Sequence, residues 1–218
     1  MHDSTLSSHR AIFLDALGTL IRLVEPWPPL RELLRERHGV EVGLADARRA
    51  MLVEMDYYRR NCIRARDTKS LHTLRLECAE LLRGELSLAL SAEDLVPVLL
   101  DALRFEPYED VVPALRRWRA DGLRLVVVSN WDISLHEVLR RTGLRELLDG
   151  VVCSAEVGAA KPDPAIFQAA LELAGLAPAD VVHIGDSPEE DVAGALAAGI
   201  RSLLLRRDAP TLASLADL

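Results

Sequence analysis

The chain has 218 residues, half of them hydrophobic and 28% charged, with a formal net charge of -8. That length accommodates one core domain plus a modest insertion, and the composition is too apolar for disorder. The acidic balance argues against a general nucleic-acid surface, because phosphate backbones reward basic patches, but it leaves room for one locally bound phosphate.

The opening residues, Met1 to Arg10, lack the apolar stretch of a signal peptide. Ala11 to Leu14 is the first short apolar run and reads as a buried strand. No convincing strand follows it until Leu123. Helices are expected instead over Pro28–His38, Leu44–Arg66, Thr68–Arg83 and Ser91–Leu103. Leu71, Leu74, Cys78, Leu81 and Leu82 give the third an apolar stripe at helical spacing. Arg48, Arg49, Arg59, Arg60, Arg64 and Arg66 cluster in the second. A solvated helix face accounts for them, with an arginine reaching an anionic substrate as the alternative. The Pro-rich segment Glu25–Pro29 marks the entry to this helical stretch and Arg104–Tyr108 the return. Gly84 and Gly122 read as helix stops.

Four further apolar runs follow, Leu123–Val128, Val151–Cys153, Val181–Ile184 and Ile200–Leu205, with helical sequence between them. Val, Ile and Leu without strict alternation suit strands buried on both faces, joined by right-handed βαβ crossovers. Ser134 with Glu137 reads as a capping box, and Asp163-Pro164 as a helix start closed by Gly175. Ser187, Pro188 and Gly199 repeat that grammar. The expected fold is α/β: a doubly wound, Rossmann-like parallel sheet core from residues 1–24 and 105–218, with an all-helical insertion, residues 25–104, after the first strand.

Cys62, Cys78 and Cys153 are far apart and show no metal-ligand spacing, so they read as buried thiols of a reducing compartment. No run approaches the roughly 20 apolar residues that span a bilayer. The expectation is a soluble cytoplasmic protein without a membrane or nucleic-acid partner, monomeric or homodimeric.

In an open parallel sheet, ligands bind beyond the carboxyl ends of the strands. Asp15 follows the first strand, Ser129 and Asn130 the second, and Asp186 the fourth, while Lys161 lies in the loop after the third. Singly these are turn or surface residues; jointly they deliver two carboxylates, a hydroxyl, an amide and an ammonium to one crevice. Two carboxylates repel unless a proton or cation separates them, and Mg²⁺ with a substrate phosphate would resolve that conflict.

The order and wording of these segments resemble the four motifs of the haloacid dehalogenase superfamily: Asp15-Ala16-Leu17-Gly18-Thr19-Leu20, Val128-Ser129-Asn130, Lys161-Pro162-Asp163-Pro164, and Gly185-Asp186-Ser187-Pro188 with Asp191. The helical insertion resembles that superfamily's C1-type cap. The resemblance implies that Asp15 is the nucleophile, forming an aspartyl ester, and that Lys161 offsets its charge. It implies that Ser129, with Asn130 and Thr19, meets the substrate. Mg²⁺ would be bound by Asp15, Asp186 and the backbone carbonyl of Leu17, with Asp191 supporting from behind. The substrate would be a small phosphorylated molecule.

One position departs from the pattern. Phosphatases of the superfamily carry a second aspartate two residues after the nucleophile, where this chain has Leu17. General acid–base help is typically worth about 10²- to 10⁴-fold. The dehalogenase branch also lacks that aspartate, but it works without a metal and has Ser and Asn in its fourth motif. It also has a tyrosine where this chain has Phe167. Asp186 and Pro188 favour a Mg²⁺-dependent phosphatase. The alternatives are a 2-haloacid dehalogenase-like enzyme and a catalytically impaired ligand-binding protein. Among nearby residues, His183 reads as a buried histidine and His136 as a helix residue without a partner. Glu156 and Asp132 read as solvated loop residues, and Trp131 as a wall of the site or a packing residue.

Overall fold

Ala-Ile-Phe-Leu at residues 11–14 forms β1 (Ala11–Leu14), every residue of which is buried. The computed structural model describes residue 6, residues 9–207 and residues 214–218. Chain order continues with β2 (Ile21–Leu23), α1 (Trp27–His38), α2 (Leu44–Asn61), α3 (Thr68–Glu85), α4 (Ala92–Ala102) and β3 (Phe105–Pro107). Next come α5 (Val111–Ala120), β4 (Arg124–Ser129), α6 (Leu135–Arg141), β5 (Gly150–Cys153), α7 (Ser154–Val157) and α8 (Pro164–Ala174). Then come β6 (Val181–Gly185), a π-helical segment (Pro188–Ala193), α9 (Gly194–Ala197) and β7 (Arg201–Leu204), with a 3₁₀ turn at Leu215–Asp217.

Five strands form one parallel sheet in the order β5-β4-β1-β6-β7. The chain therefore reverses its direction of progress at β1, and β1 lies between β4 and β6, whose ends carry Ser129 and Asp186. Such a reversal point is where an α/β sheet opens a crevice for ligands. Register places Leu14 beside Val127 on one side and Ile184 on the other. One core layer packs Phe13, Val126, Val128, Ile166, Phe167 and Val181 together, the hydrophobic burial that fixes the sheet against α8.

The chain divides into two units, Leu23–Phe105 and the sequence on either side of it. In the first, α2 packs on α3, α3 on α4, and α1 against both α2 and α4. Leu71, Leu74, Cys78 and Leu82 of α3 supply its buried stripe. Glu54 of α2 is buried within this helical unit, and burial pushes its carboxyl up to about 7, slightly offset by a hydrogen bond from the Cys78 thiol. The arginines of α2 and its flank are solvent-facing, and three of them are paired: Arg49 with Asp46, Arg60 with Asp56 and Arg64 with Glu77. Arg48 lies over the Trp27 ring. All three cysteines are buried thiols. Among the described residues, no helix is long and apolar enough to cross a membrane.

Four expectations need correction. The stretch between β1 and β4 does contain strands, β2 and β3, which pair as a two-stranded ribbon. Each has only three residues, too few for periodicity to register. Gly84 does not stop α3, which runs one residue further and is closed at Leu86 by bonds from its N–H to Gly84 and Leu82 carbonyls. α2 ends at Asn61 and passes into a 3₁₀ turn at Cys62–Arg64. Ser134 caps nothing with its side chain; its own N–H is taken by Asp132 Oδ1 at 2.5 Å, while Glu137 pairs with Arg140. The other helix signals hold. Asp163 accepts from Ala165 N, Gly175 closes α8 in the left-handed region, and Ser187 accepts from Glu190 N.

Candidate active site

The carboxyl end of β1 delivers Asp15 into the reversal point, its N–H bonded to the Ile184 carbonyl of β6 at 2.9 Å. Ser129, the last residue of β4, donates from Oγ to Asp15 Oδ1 at 3.1 Å. Lys161, from the loop between α7 and α8, donates from Nζ to Asp15 Oδ1 at 2.6 Å and to Asp191 Oδ1 at 2.5 Å. All four side chains are buried. Asp186, beyond β6, is more open, and carboxylate oxygens of Asp15, Asp186 and Asp191 lie within 4.8 Å of one another.

Two glycines make this crowding possible. Gly18 has φ of +89°, and a Cβ there would overlap the Asp186 carboxylate. A Cβ on Gly185 would overlap the Asp191 carboxyl in the same way.

The electrostatics follow from burial. Desolvation pushes Asp15 up to about 7; Lys161 pulls it down, and the Asp191 charge raises it again. Asp186 is also raised, by burial and then by Asp191. Burial opposes ionisation of Asp191 too, but Lys161 and His183 outweigh it and hold that carboxyl below the usual carboxylate range. Lys161 is raised, because its two carboxylate partners outweigh its own burial. Three carboxylates thus face one ammonium. The donor set is hard oxygen, and its surplus negative charge fits a Mg²⁺-class cation.

Around this centre the chain places residues whose part the sequence does not reveal. Asn130 accepts from Lys161 N at 2.7 Å and donates to Lys161 O at 2.9 Å and to Glu190 Oε2 at 3.0 Å. Both ends of its amide are engaged by the protein, which makes it a brace for the lysine loop. His183 is fully buried on β6, and its Nε2 meets Asp191 Oδ1 at 2.9 Å. Burial holds its imidazole below the ordinary value, with Asp191 pulling the other way. Asp191 Oδ2 accepts from Ser187 N at 2.9 Å. Thr19 is fully buried and its Oγ1 has no hydrogen-bond partner, while its carbonyl accepts from Arg207. Arg207 in turn donates from Nη1 to both Asp110 carboxylate oxygens, at 2.7 and 2.8 Å, and stacks over Tyr108, 4.1 Å from the ring centroid.

Leu17 is 38% exposed and bridges to Ile21, so the loop after β1 presents an aliphatic side chain to solvent. Phe167 is buried in the core, edge-on to His183 with ring centroids 5.1 Å apart. Asp132 is buried rather than solvated. Trp131 is buried and its N–H donates to Ser154 Oγ. His136 does have a partner, Glu156. Asn130 is signalled as a site residue by its place after Ser129 at the end of β4, but not as a brace, and His183 only by lying in the strand that leads to Asp186.

The parallel sheet, its reversal point and the carboxylate–lysine cluster are those of an α/β enzyme. The chain belongs to the haloacid dehalogenase-like hydrolases, whose family description matches residues 9–199. It is 42% identical over 119 residues to the bovine (Bos taurus) haloacid dehalogenase-like hydrolase domain-containing protein 3, covering 55% of this chain and 47% of that protein. It is 37% identical over 103 residues to the glyceraldehyde 3-phosphate phosphatase of Methanopyrus kandleri, covering 47% and 44%. The matches thus span about half the length of these curated relatives. The crystal structure of a phosphatase of the same superfamily from Thermococcus onnurineus superposes with a TM-score of 0.63, at 24% identity and 95% coverage of both chains, a likeness of fold.

Proposed function

We propose that the chain is a Mg²⁺-dependent phosphohydrolase of small phosphorylated metabolites, with Asp15 as nucleophile. The observation that carries this reading is the cluster itself. Asp15, Asp186 and Asp191 converge within 4.8 Å, and Lys161 is paired to Asp15 and Asp191. A relative named as a phosphatase, 37% identical over the matched segment, supports the same substrate class.

Asp15 and Asp186 would hold the cation together with the Leu17 carbonyl. When bound, Mg²⁺ supplies charge neutralisation for the phosphoryl oxygens. Asp15 is raised to about 7, so positive charge beside it favours the ionised carboxylate that attack requires. A free oxygen of Asp15 attacks phosphorus, the bond from phosphorus to the leaving oxygen breaks, and an aspartyl phosphate forms. Ser129 and Lys161 orient the carboxylate and the incoming phosphate. Water then attacks that phosphorus, releasing inorganic phosphate and restoring Asp15. Asp191, held by Lys161, His183 and Ser187, positions the lysine. Leu17 has no proton to give, so the leaving group takes its proton from water or leaves as an anion. Phe167 is buried beside His183, away from the role that a tyrosine plays there in the dehalogenase branch. A reducing, cytoplasmic setting suits the three buried thiols.

The test is hydrolysis of an aryl phosphate with and without Mg²⁺, using Asp15→Asn as control. Magnesium-dependent phosphate release that vanishes in Asp15→Asn is the expected result. No release from folded wild-type protein would overturn the reading, and chloride release from a 2-haloacid without Mg²⁺ would replace it with carbon chemistry.

A further inference from the structure

A second group of ligating side chains lies on other residues of the core. His136 is in the first turn of α6, Cys153 ends β5, and Glu156 follows three residues later in α7. His136 Nε2 is 3.0 Å from Glu156 Oε1, and Cys153 Sγ donates to Glu156 Oε2 at 3.2 Å. One donor atom from each lies within 4.8 Å of the others. We propose that His136, Cys153 and Glu156 form a binding site for a borderline-soft divalent cation of the Zn²⁺ class.

The donor set is the argument. Imidazole nitrogen, thiolate sulfur and carboxylate oxygen together suit zinc, and they do not suit magnesium, which takes oxygen alone. Metal–ligand bonds of about 2.0–2.3 Å place tetrahedral donors in the range these three already span, so small side-chain rotations complete the geometry. The site is open on one side: the His136 and Glu156 side chains are each 42% exposed, while Cys153 is buried. That leaves a solvent-facing fourth position for water, the arrangement of three-ligand zinc sites.

Burial pushes the Cys153 thiol up to about 12; a bond from the Glu156 N–H opposes the rise, and the Glu156 and Asp132 charges add to it, so the free thiol keeps its proton until a cation displaces it. A cation replaces the thiol proton, which passes to buffer, so affinity rises with pH. Cys153 sits opposite Ser129 in the register of β5 and β4, next to the strand that carries the catalytic crevice. Cys153 and Glu156 belong to the turn that starts α7 and His136 to α6, so the bound cation would tie the two elements together.

The experiment is a titration of the full chain, stripped of metals and held in excess Mg²⁺ so that the Asp15 cluster is occupied. Zn²⁺ binding is read by competition with a chromogenic chelator, and Co²⁺ binding by thiolate-to-cobalt charge-transfer absorption. One Zn²⁺ per chain is expected, together with a cobalt–thiolate band. Cys153→Ser should abolish the band, and His136→Gln, a change at a half-exposed position, should weaken Zn²⁺ binding at least about tenfold. The proposal is overturned if wild-type protein gives no cobalt–thiolate band. It is equally overturned if the band survives in Cys153→Ser, which would assign it to Cys62 or Cys78, or if His136→Gln binds Zn²⁺ as the wild type does.

Discussion

Asn130 grips Lys161 through both main-chain groups of that residue, its amide oxygen accepting from the N–H at 2.7 Å and its amide nitrogen donating to the carbonyl at 2.9 Å. The side chain at the end of one strand thereby fixes the backbone from which the ammonium reaches Asp15. Alanine at 130 removes both bonds and the link to Glu190 without touching the carboxylates. Asn130→Ala should lower kcat on an aryl phosphate about 10- to 100-fold, with KM changed less, while circular dichroism stays native. A rise confined to KM, with kcat unchanged, would instead make Asn130 a substrate contact.

Leu17 offers a gain-of-function test. It is partly solvent-exposed on the loop after β1, so a carboxyl replacing it stays in contact with water. If the missing proton donor limits poor leaving groups, Leu17→Asp should raise hydrolysis of an alkyl phosphate at least about tenfold, within the range general acids supply. Aryl phosphate hydrolysis should change little, because that leaving group departs without assistance. The ratio of the two rates is the measurement. An unchanged ratio would mean that protonation is supplied from another group.

The convergence of Asp15, Ser129, Lys161 and Asp186 was legible because a parallel sheet brings its strand ends to one edge, and strand ends can be read from short apolar runs. The braces were not legible. Asn130 to Lys161, His183 to Asp191 and Arg207 to Thr19 are pairings whose meaning comes from tertiary neighbours rather than local pattern. Gly84 failed as a stop signal because α3 extends to Glu85 and closes at Leu86 despite it. The capping box at Ser134 lost its second half because Asp132, two residues earlier, takes the N–H that Glu137 would accept, and Glu137 pairs with Arg140 instead. β2 and β3 are single triplets whose strand character exists only as a pair. Competition between local partners accounts for Ser134, and pairing across the fold for β2 and β3.

Arg207 joins distant segments of the core. It donates to both Asp110 carboxylate oxygens, bonds the Thr19 carbonyl and covers the Tyr108 ring, while Asp110 also accepts from Ser214 Oγ and Leu215 N. Burial of Asp110 opposes its charge, but the Arg207, Ser214 and Leu215 donors outweigh it and keep the carboxyl below its ordinary value. Arg207→Ala strands that carboxylate and should cost about 2 kcal/mol, which for a chain of this size lowers Tm by about 4–8 °C. Lysine restores charge but cannot meet Asp110, the Thr19 carbonyl and the Tyr108 ring at once, so Arg207→Lys should recover only part of the loss. Differential scanning calorimetry of the three proteins decides it. Equal Tm for Lys and Ala variants would mean that the Thr19 bond and ring contact, rather than charge, carry the effect.

Glu54 gives the helical unit a stability that depends on pH. Burial raises its carboxyl from an ordinary 4.5 to about 7, so between those values the folded chain keeps a proton that the unfolded chain releases. Below about 4.5 both states are protonated and the side chain carries no penalty. As pH rises the unfolded state ionises first and stability falls; above about 7 both states are ionised and the penalty levels off. A shift of this size corresponds to a loss on the order of 3 kcal/mol. Glu54→Gln has no proton to lose. Urea denaturation should therefore find the variant more stable than the wild type at pH 8, with the difference shrinking towards zero near pH 4.5. Parallel profiles for the two proteins across that range would mean that Glu54 ionises in the folded chain as freely as in water.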